Sequence, residues 1–466
     1  MSMEKILLNA LGGTRVSNHA PSSYSPRGTP QGSNAKVYME VVNELKTRKE
    51  DVNEVHLALY LFNNMDLCRT LCEVAKSGAD VTVTSIPLTG YDHRKIKFAT
   101  EVYKRVLTDG KVKLLVYPHM YVWFGAEYAG GGASYSFHAK AGLVKYKDET
   151  CKLLLTSGNL APGDPTHSET AAFMDATNSS PYAQVFDSFF SETEGRAKPF
   201  HEHNQLVKNL PPNLAQVFDF SFVGSLNPVD YAASHMSLAF FTAPFITVGG
   251  KGSNHYARER LIDLISSANN RTLVCAQHIH DIAPFNNYEG QTIIRAIIEG
   301  KASNPKLDAR VLKQVSSKGL ADKRRAAFVE SHLSNAGINQ RVNRLVHDKF
   351  IIADDVIAIT TGNFTATQFG WGRKWMEYKT DVNDLEMVQE AVSAAGSFFG
   401  TPEERVKAVR TKPAKKAPKV KVMKDDVFSE VNAFIIVKDE VAANQLASYF
   451  DSLWRHSLSE DVPIPL

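Results

Sequence analysis

Hydrophobic positions fall into short blocks that recur in the same order twice along the chain. VHLALYLF (55–62) has the pattern of a buried strand, Asp66 to Ser77 has helical spacing, and VTVTSIP (81–87) alternates as a second strand. RTLVCAQHI (271–279), TIIRAIIEG (292–300) and LDARVLKQV (307–315) repeat that strand, helix, strand grammar. Two pairs of short apolar strands follow, AGLVKYK (141–147) with KLLLTSGN (152–159), and FIIAD (350–354) with VIAITTGN (356–363). Each half then closes on an acid-led strand and a Phe-rich or aromatic helix: SETAAFM (168–174) with AQVFDSFF (183–190), and SEVNAFIIV (429–437) with NQLASYFDSLW (444–454). Strands that alternate with helices favour parallel pairing under a helical cover. The expected fold is therefore α/β: two α/β/α halves, residues 1–228 and 229–466, packed about a pseudo-twofold axis, with mixed, mostly parallel sheets. The boundary is expected near GSLNPVDYAAS (224–234), residues 15–35 are expected to be loop from their Ser, Pro and Gly content, and AGGGAS (129–134) is another loop. Tyr121, Trp123, Phe124 and Tyr128 beside it could stack bases or simply pack, and packing is the favoured reading.

Composition changes this picture little. At 466 residues, 43% hydrophobic and 22% charged, the chain is long enough for two to three domains and has the balance of a soluble globular protein. No apolar run approaches the roughly 18–20 residues of a bilayer span. The opening MSMEKILLNALGG reads as too quickly polar for a secretory signal, and VPIPL carries no lipidation motif. A cytoplasmic location is the expectation. Four cysteines, Cys68, Cys72, Cys151 and Cys275, are neither a disulfide scaffold nor a zinc pattern and are expected to be core residues.

The net charge of +3 is too small to identify a partner, but its distribution is uneven. RVKAVRTKPAKKAPKVKVMK (405–424) has no acid, and its prolines favour an extended arm. Lys412, Lys415, Lys416 and Lys419 lie at its centre. Such an arm suits nucleic acid, because each phosphate neutralised releases counterions; a solvated linker is the competing reading.

The candidate chemistry lies in two tripeptides, His138-Ala139-Lys140 and His347-Asp348-Lys349, each at the start of a strand pair. Each pair ends in a polar turn, Thr156-Ser157-Gly158-Asn159 and Thr360-Thr361-Gly362-Asn363. One HxK occurs often by chance; two in the same structural context do not. Residues two apart on a strand face the same way, so His and Lys can reach one phosphate. Asn at the end of the neighbouring strand can donate to the same oxygens. Lys and Asn then stabilise charge developing at phosphorus with no metal, while one histidine attacks and the other protonates the departing oxygen. HEH (201–203) and HIH (278–280) have the alternation of strand-borne metal ligands but lack a third and fourth ligand, so no metal and no cofactor is expected. His278 is expected near the site.

The duplicated HxK with a downstream Asn resembles the phospholipase D superfamily. The second copy, HDKFIIADDVIAITTGNFT, carries Asp354 at that family's spacing. The first, FHAKAGLVKYKDETCKLLLTSGNL, has Lys145 there, which is closer to the tyrosyl-DNA phosphodiesterase branch. The resemblance implies a phosphohistidine on His138, with His347 as general acid and then base. It makes Lys140, Lys349, Asn159 and Asn363 phosphate ligands, and Glu169 the acid that orients a histidine. For the second-half acid Glu430 is preferred over Glu377, because it heads a more apolar strand and repeats the Ser168-Glu169 dipeptide. Residues 366–426 would then be an insertion carrying the basic arm. Ser157, Thr361 and Asp354 are secondary candidates. The implied activity is a metal-independent phosphodiesterase, a nuclease or DNA-end-processing enzyme, with a phospholipid hydrolase or transphosphatidylase as the alternative. Both motifs lie in one chain, so no homo-oligomer is required to complete the site.

Overall fold

The structure is a computed structural model. It describes residues 14–19, 36–88, 96–117, 120–121, 134–135, 137–161, 167–203, 229–232, 236, 239–243, 245–280, 292–314, 320–343, 345–365, 368–369, 430–455 and 457–459.

The first half runs β1 (Thr14–His19), α1 (Lys36–Thr47), β2 (Val52–Leu59), α2 (Met65–Lys76), β3 (Asp80–Ser85), α3 (Ile96–Asp109), β4 (Val112–Val116), β5 (Lys140–Tyr146), β6 (Thr150–Thr156), β7 (Glu169–Thr177), α4 (Pro181–Arg196) and β8 (Lys198–Pro199). The second runs β9 (Ala239–Thr242), α5 (Ser253–Ser266), β10 (Arg271–Ala276), α6 (Ile293–Ser303), β11 (Asp308–Lys313), α7 (Leu320–Asn335), β12 (Asn339–Val342), β13 (Lys349–Ala353), β14 (Val356–Thr360), β15 (Asn432–Lys438), α8 (Glu440–Arg455) and β16 (Leu458–Ser459). Short strands at Met120–Tyr121, Ser134–Tyr135, Val229–Tyr231, Ile246–Val248, Lys251–Gly252, Ile279–His280 and Phe364–Thr365 lie outside this order; among the elements above, the two orders are the same. The strands form two eight-stranded sheets, β1-β7-β6-β5-β2-β3-β4-β8 and β9-β15-β14-β13-β10-β11-β12-β16, again in one order.

Local chemistry explains the elements. Asn64 caps α2 by accepting from Asp66 N at 3.0 Å, Ser180 caps α4 ahead of Pro181, and Thr292 caps α6. Each cap supplies an acceptor to a helix end that would otherwise leave N–H groups unpaired. β5, β7, β13 and β15 are buried along almost their whole length, as central strands covered on both faces must be. Gly142 in β5 is required by closeness, since a Cβ there would meet Leu57 Cδ2 at 2.7 Å.

Two expectations change. The two large sheets are mixed, but among the described residues their parallel pairings are β2 with β3, β3 with β4, and their second-half counterparts β10 with β11 and β11 with β12. The other pairings are antiparallel, because β5, β6 and β7 are joined by short connections with no crossover helix. Residues Thr14–His19, 15–19 of them expected as loop, form an edge strand antiparallel to β7. Its pairing depends on a partner some 155 residues away (Arg15 with Phe173, Ser17 with Ala171), which local composition cannot report.

The halves are packed together by aromatic rings. Phe189 on α4 stacks on Phe241 of β9 with centroids 3.7 Å apart, and Phe245 meets Tyr117 at 6.3 Å. All four rings are buried, and burying a Phe contributes roughly 1.5–3 kcal/mol. Between Phe137 and Val431, and between Ser168 and Val346, single parallel bridges tie the start of one half's motif to the acid-led strand of the other.

Candidate active site

Each histidine stands just before a central strand, and its partner comes from the other half. His347 Nδ1 lies 2.8 Å from Glu169 Oε1, and the second oxygen of that carboxylate accepts from Ser157 Oγ at 2.6 Å. His138 Nδ1 lies 3.2 Å from Asn432 Oδ1, which also accepts from Thr361 Oγ1 at 2.9 Å. Ser157 and Thr361 thus have equivalent places, and each also accepts a backbone N–H from the strand opposite, of Thr170 at 2.9 Å and of Ala433 at 3.0 Å. A carboxylate or amide oxygen on Nδ1 keeps the proton there and leaves the Nε2 lone pair facing away from the partner.

The sequence match of Glu430 to Glu169 is corrected by register. Ala171 faces Thr156, and Phe434 faces Thr360, so Glu169 is equivalent to Asn432, two residues beyond Glu430. A shift of two keeps a side chain on the same face, so alternation alone cannot detect it. Glu430 Oε2 accepts from Asn432 Nδ2 at 3.2 Å and lies 4.0 Å from His138 Nδ1. The other proton of Asn432 Nδ2 goes to Gln368 Oε1, a fully buried residue absent from the sequence candidates. Glu377 lies outside the described residues, as do Lys412, Lys415, Lys416 and Lys419.

Lys140 and Lys349 are buried at the first positions of β5 and β13. Each Nζ donates to the carbonyl of the preceding histidine, Lys140 to His138 O at 2.7 Å and Lys349 to His347 O at 2.6 Å. Lys140 Nζ also lies 5.4 Å from the Tyr60 ring centre, and that ring stands 5.1 Å from His138. Asn159 and Asn363 follow the ends of β6 and β14, beside β5 and β13. The Oδ1 of each is buried with no hydrogen-bond partner among the described residues. Tyr60, His167 and Asn432 were missed by sequence reasoning; His167 places its ring 5.7 Å from that of His347.

Burial shifts the titratable groups of the site. Burial drives both histidines well below their ordinary pKa, and the Lys140 and Lys349 ammonium groups add to the effect. His167 and His278 push His347 further the same way. Burial raises the carboxyls of Glu169 and Glu430 against the pull of the two lysines. Two buried lysines and two acids thus share the site with neutral imidazoles.

Asp354 is elsewhere. It sits in the turn after β13, at the end of the strand away from His347, about 17 Å along five residues. Its φ is 53°, and its carboxylate accepts the backbone N–H groups of Asn269 and Asn270 at 2.8 Å and of Arg271 at 2.9 Å. Burial works against the charge, yet these three donors outweigh it and lower the pKa. Lys145, at the corresponding place in the first half, pairs with Glu54 at 3.0 Å and Asp187 at 2.7 Å. Both positions are structural. Among the described residues no group of three or more His, Cys, Asp or Glu could hold a metal ion, and the HEH and HIH stretches form no such cluster.

No family model matches the chain, and no curated protein matches it. In three dimensions it is similar to phosphatidylserine synthase from Haemophilus influenzae, at 10% identity and a TM-score of 0.48, over 91% of this chain and 86% of that one. It is similar to yeast tyrosyl-DNA phosphodiesterase at 11% identity and a TM-score of 0.42, over 91% and 88%. Similarity to polyphosphate kinase from Porphyromonas gingivalis has 10% identity and a TM-score of 0.46; 96% of this chain is covered, and it spans about half, 51%, of the kinase. All three belong to the phospholipase D superfamily.

Proposed function

We propose that the chain is a metal-independent phosphodiesterase of the phospholipase D type that acts on nucleic acid, most specifically in DNA-end processing of the tyrosyl-DNA phosphodiesterase kind. One observation carries this reading: two histidines, each followed by a buried lysine, are each held at Nδ1 by a residue of the other half. Neither half can present an oriented histidine alone, so the unit of function is the pair. With both Nδ1 atoms occupied, the Nε2 atoms are the free nitrogens. One attacks phosphorus, and the other, charged when the anionic substrate arrives, gives its proton to the leaving oxygen. Lys140, Lys349, Asn159 and Asn363 bind the phosphoryl oxygens, where fixed donors in a dry site stabilise growing charge better than water does. The nucleic-acid part of the reading is supported by the acid-free run 405–424.

A substrate panel in excess chelator tests this. It contains single- and double-stranded DNA, RNA, a 3′-tyrosyl oligonucleotide, bis(4-nitrophenyl) phosphate and phosphatidylcholine vesicles. Turnover of the aryl diester and of one or more oligonucleotides is expected. Activity that disappears in chelator and returns with magnesium or zinc contradicts the two-histidine chemistry. Preference for phosphatidylcholine over every oligonucleotide contradicts the substrate class alone.

A further inference from the structure

The two halves of the site differ at one place that matters for chemistry, the group on Nδ1. His347 has a carboxylate, Glu169, 1% exposed; His138 has the amide of Asn432, fully buried. The orientation of that amide is fixed. The Thr361 hydroxyl, which already accepts from Ala433 N, gives its own proton to Asn432 Oδ1. The Nδ2 end donates to two acceptors, Gln368 Oε1 and the Glu430 carboxylate. Oδ1 therefore faces His138, and His138 must donate to it.

We propose that His347 forms the bond to phosphorus, and that Asn432, locked by Thr361 and Gln368, is a positioning residue that holds His138 as the group protonating the leaving oxygen. This rests on the two-histidine phosphodiesterase reading above, and it is opposite to the order that the family resemblance implies. In the first step the Nε2 lone pair of His347 attacks phosphorus. The bond from phosphorus to the leaving oxygen breaks, its electron pair stays on that oxygen, and the oxygen takes the proton from Nε2 of the His138 imidazolium. In the second step neutral His138 takes a proton from water, the water oxygen attacks phosphorus, and the electron pair of the P–N bond returns to His347.

The covalent intermediate decides between the two assignments. A phosphorylated imidazole that keeps its Nδ1 proton is a cation. On His347 that cation lies against the Glu169 carboxylate, while His138, now neutral, lies against a neutral amide. With the roles exchanged, the cation would lie against the amide dipole and a buried carboxylate would face a neutral imidazole. Charge buried without an opposite partner is the costlier arrangement. Glu430 does not remove the asymmetry, since it lies 4.0 Å from His138 Nδ1, and its carboxylate accepts from Asn432 Nδ2 at 3.2 Å.

The test uses the full chain and bis(4-nitrophenyl) phosphate, whose 4-nitrophenolate leaves without help from an acid. His138→Asn should give a burst of one nitrophenolate per chain, then turnover slowed by about 10²–10⁴, because no base activates water. Denaturing quench at alkaline pH and peptide mass analysis should place the adduct on His347. His347→Asn should give no burst. In the double variant Glu169→Gln/Asn432→Asp the adduct should move toward His138. For Asn432→Asp alone, the pH profile of turnover should move by about one unit, as a new carboxylate at His138 requires. A purely structural residue would lower the rate equally at every pH. An adduct on His138 in the wild-type chain, a burst from His347→Asn, or an unmoved profile would overturn the assignment while diester hydrolysis itself stands. No nitrophenolate release by the wild-type chain would overturn both.

Discussion

Asp348, the middle residue of the second motif, lies on the strand face opposite to that of His347 and Lys349 and is fully buried where the halves meet. Its carboxylate accepts from Thr170 Oγ1 of the first half at 2.5 Å and from Tyr449 Oη on α8 at 3.1 Å, and burial pushes its pKa up to about 6. An acid with a higher pKa folded than unfolded holds its proton more tightly in the folded chain. Its contribution to stability is therefore full below about pH 4 and is lost as the pH rises toward about 6. The rise from 3.8 to about 6 is roughly two units, or about 3 kcal/mol at about 1.4 kcal/mol per unit. Asp348→Asn has no proton to lose, and the Thr170 and Tyr449 hydroxyls can turn to accept from the amide. The stability of the variant relative to the wild-type chain should rise by about 3 kcal/mol between about pH 4 and pH 7. Glu430 and the two site histidines also titrate differently in the folded chain, but they do so in both proteins and cancel in the difference; Glu169, whose charge adds to the rise at Asp348, enters the difference through that coupling. Urea unfolding of both chains at several pH values measures it. A difference in stability that stays constant with pH would mean that Asp348 titrates in the folded chain as it does unfolded, against the rise that burial requires.

Asp354→Ala should lower stability by about 2 kcal/mol, because three backbone N–H groups lose a charged acceptor, while pH profile and turnover of the folded enzyme stay as they are. Parallel denaturation and rate measurements check this, and loss of activity without loss of stability would put Asp354 in the chemistry. Deleting residues 405–424 should flatten the salt dependence of DNA binding, each lost phosphate contact reducing the slope of log K against log salt by roughly 0.7–0.9. Hydrolysis of a small aryl diester should barely change in that variant, and an unchanged salt slope would make the segment a linker.

What was legible in the sequence was local. Strand, helix, strand blocks and the HxK and Gly-Asn turns depend on neighbours within a few residues, and β2, α2 and β3 and their second-half counterparts lie where the patterns put them. The superfamily resemblance also follows from short motifs. Cross-half partners were not legible, since nothing near Glu169 says that its oxygen meets a histidine 178 residues on. Asn432 was hidden by register, because Glu430 two positions earlier faces the same way and is the more familiar residue for the task. Asp354 had the right spacing and the wrong place; a strand of five residues carries it to the far end from its histidine. Gln368 and Tyr60 have no motif, and only the folded sheet ends bring them to His138 and Asn432.

The proposed chemistry needs one site built from both motifs within one chain. The initial rate of bis(4-nitrophenyl) phosphate hydrolysis in steady state, measured in chelator for the wild-type chain, His138→Ala, His347→Ala and an equal mixture of the two variants, tests it most directly. Each variant should lose at least about 10²–10⁴ in steady-state rate, the loss expected for a positioned acid–base group. The mixture should recover nothing, because Glu169 and His347, and Asn432 and His138, meet inside each chain. Near-wild-type turnover in either single variant, or activity restored on mixing, would contradict a site made of two histidines in a single chain.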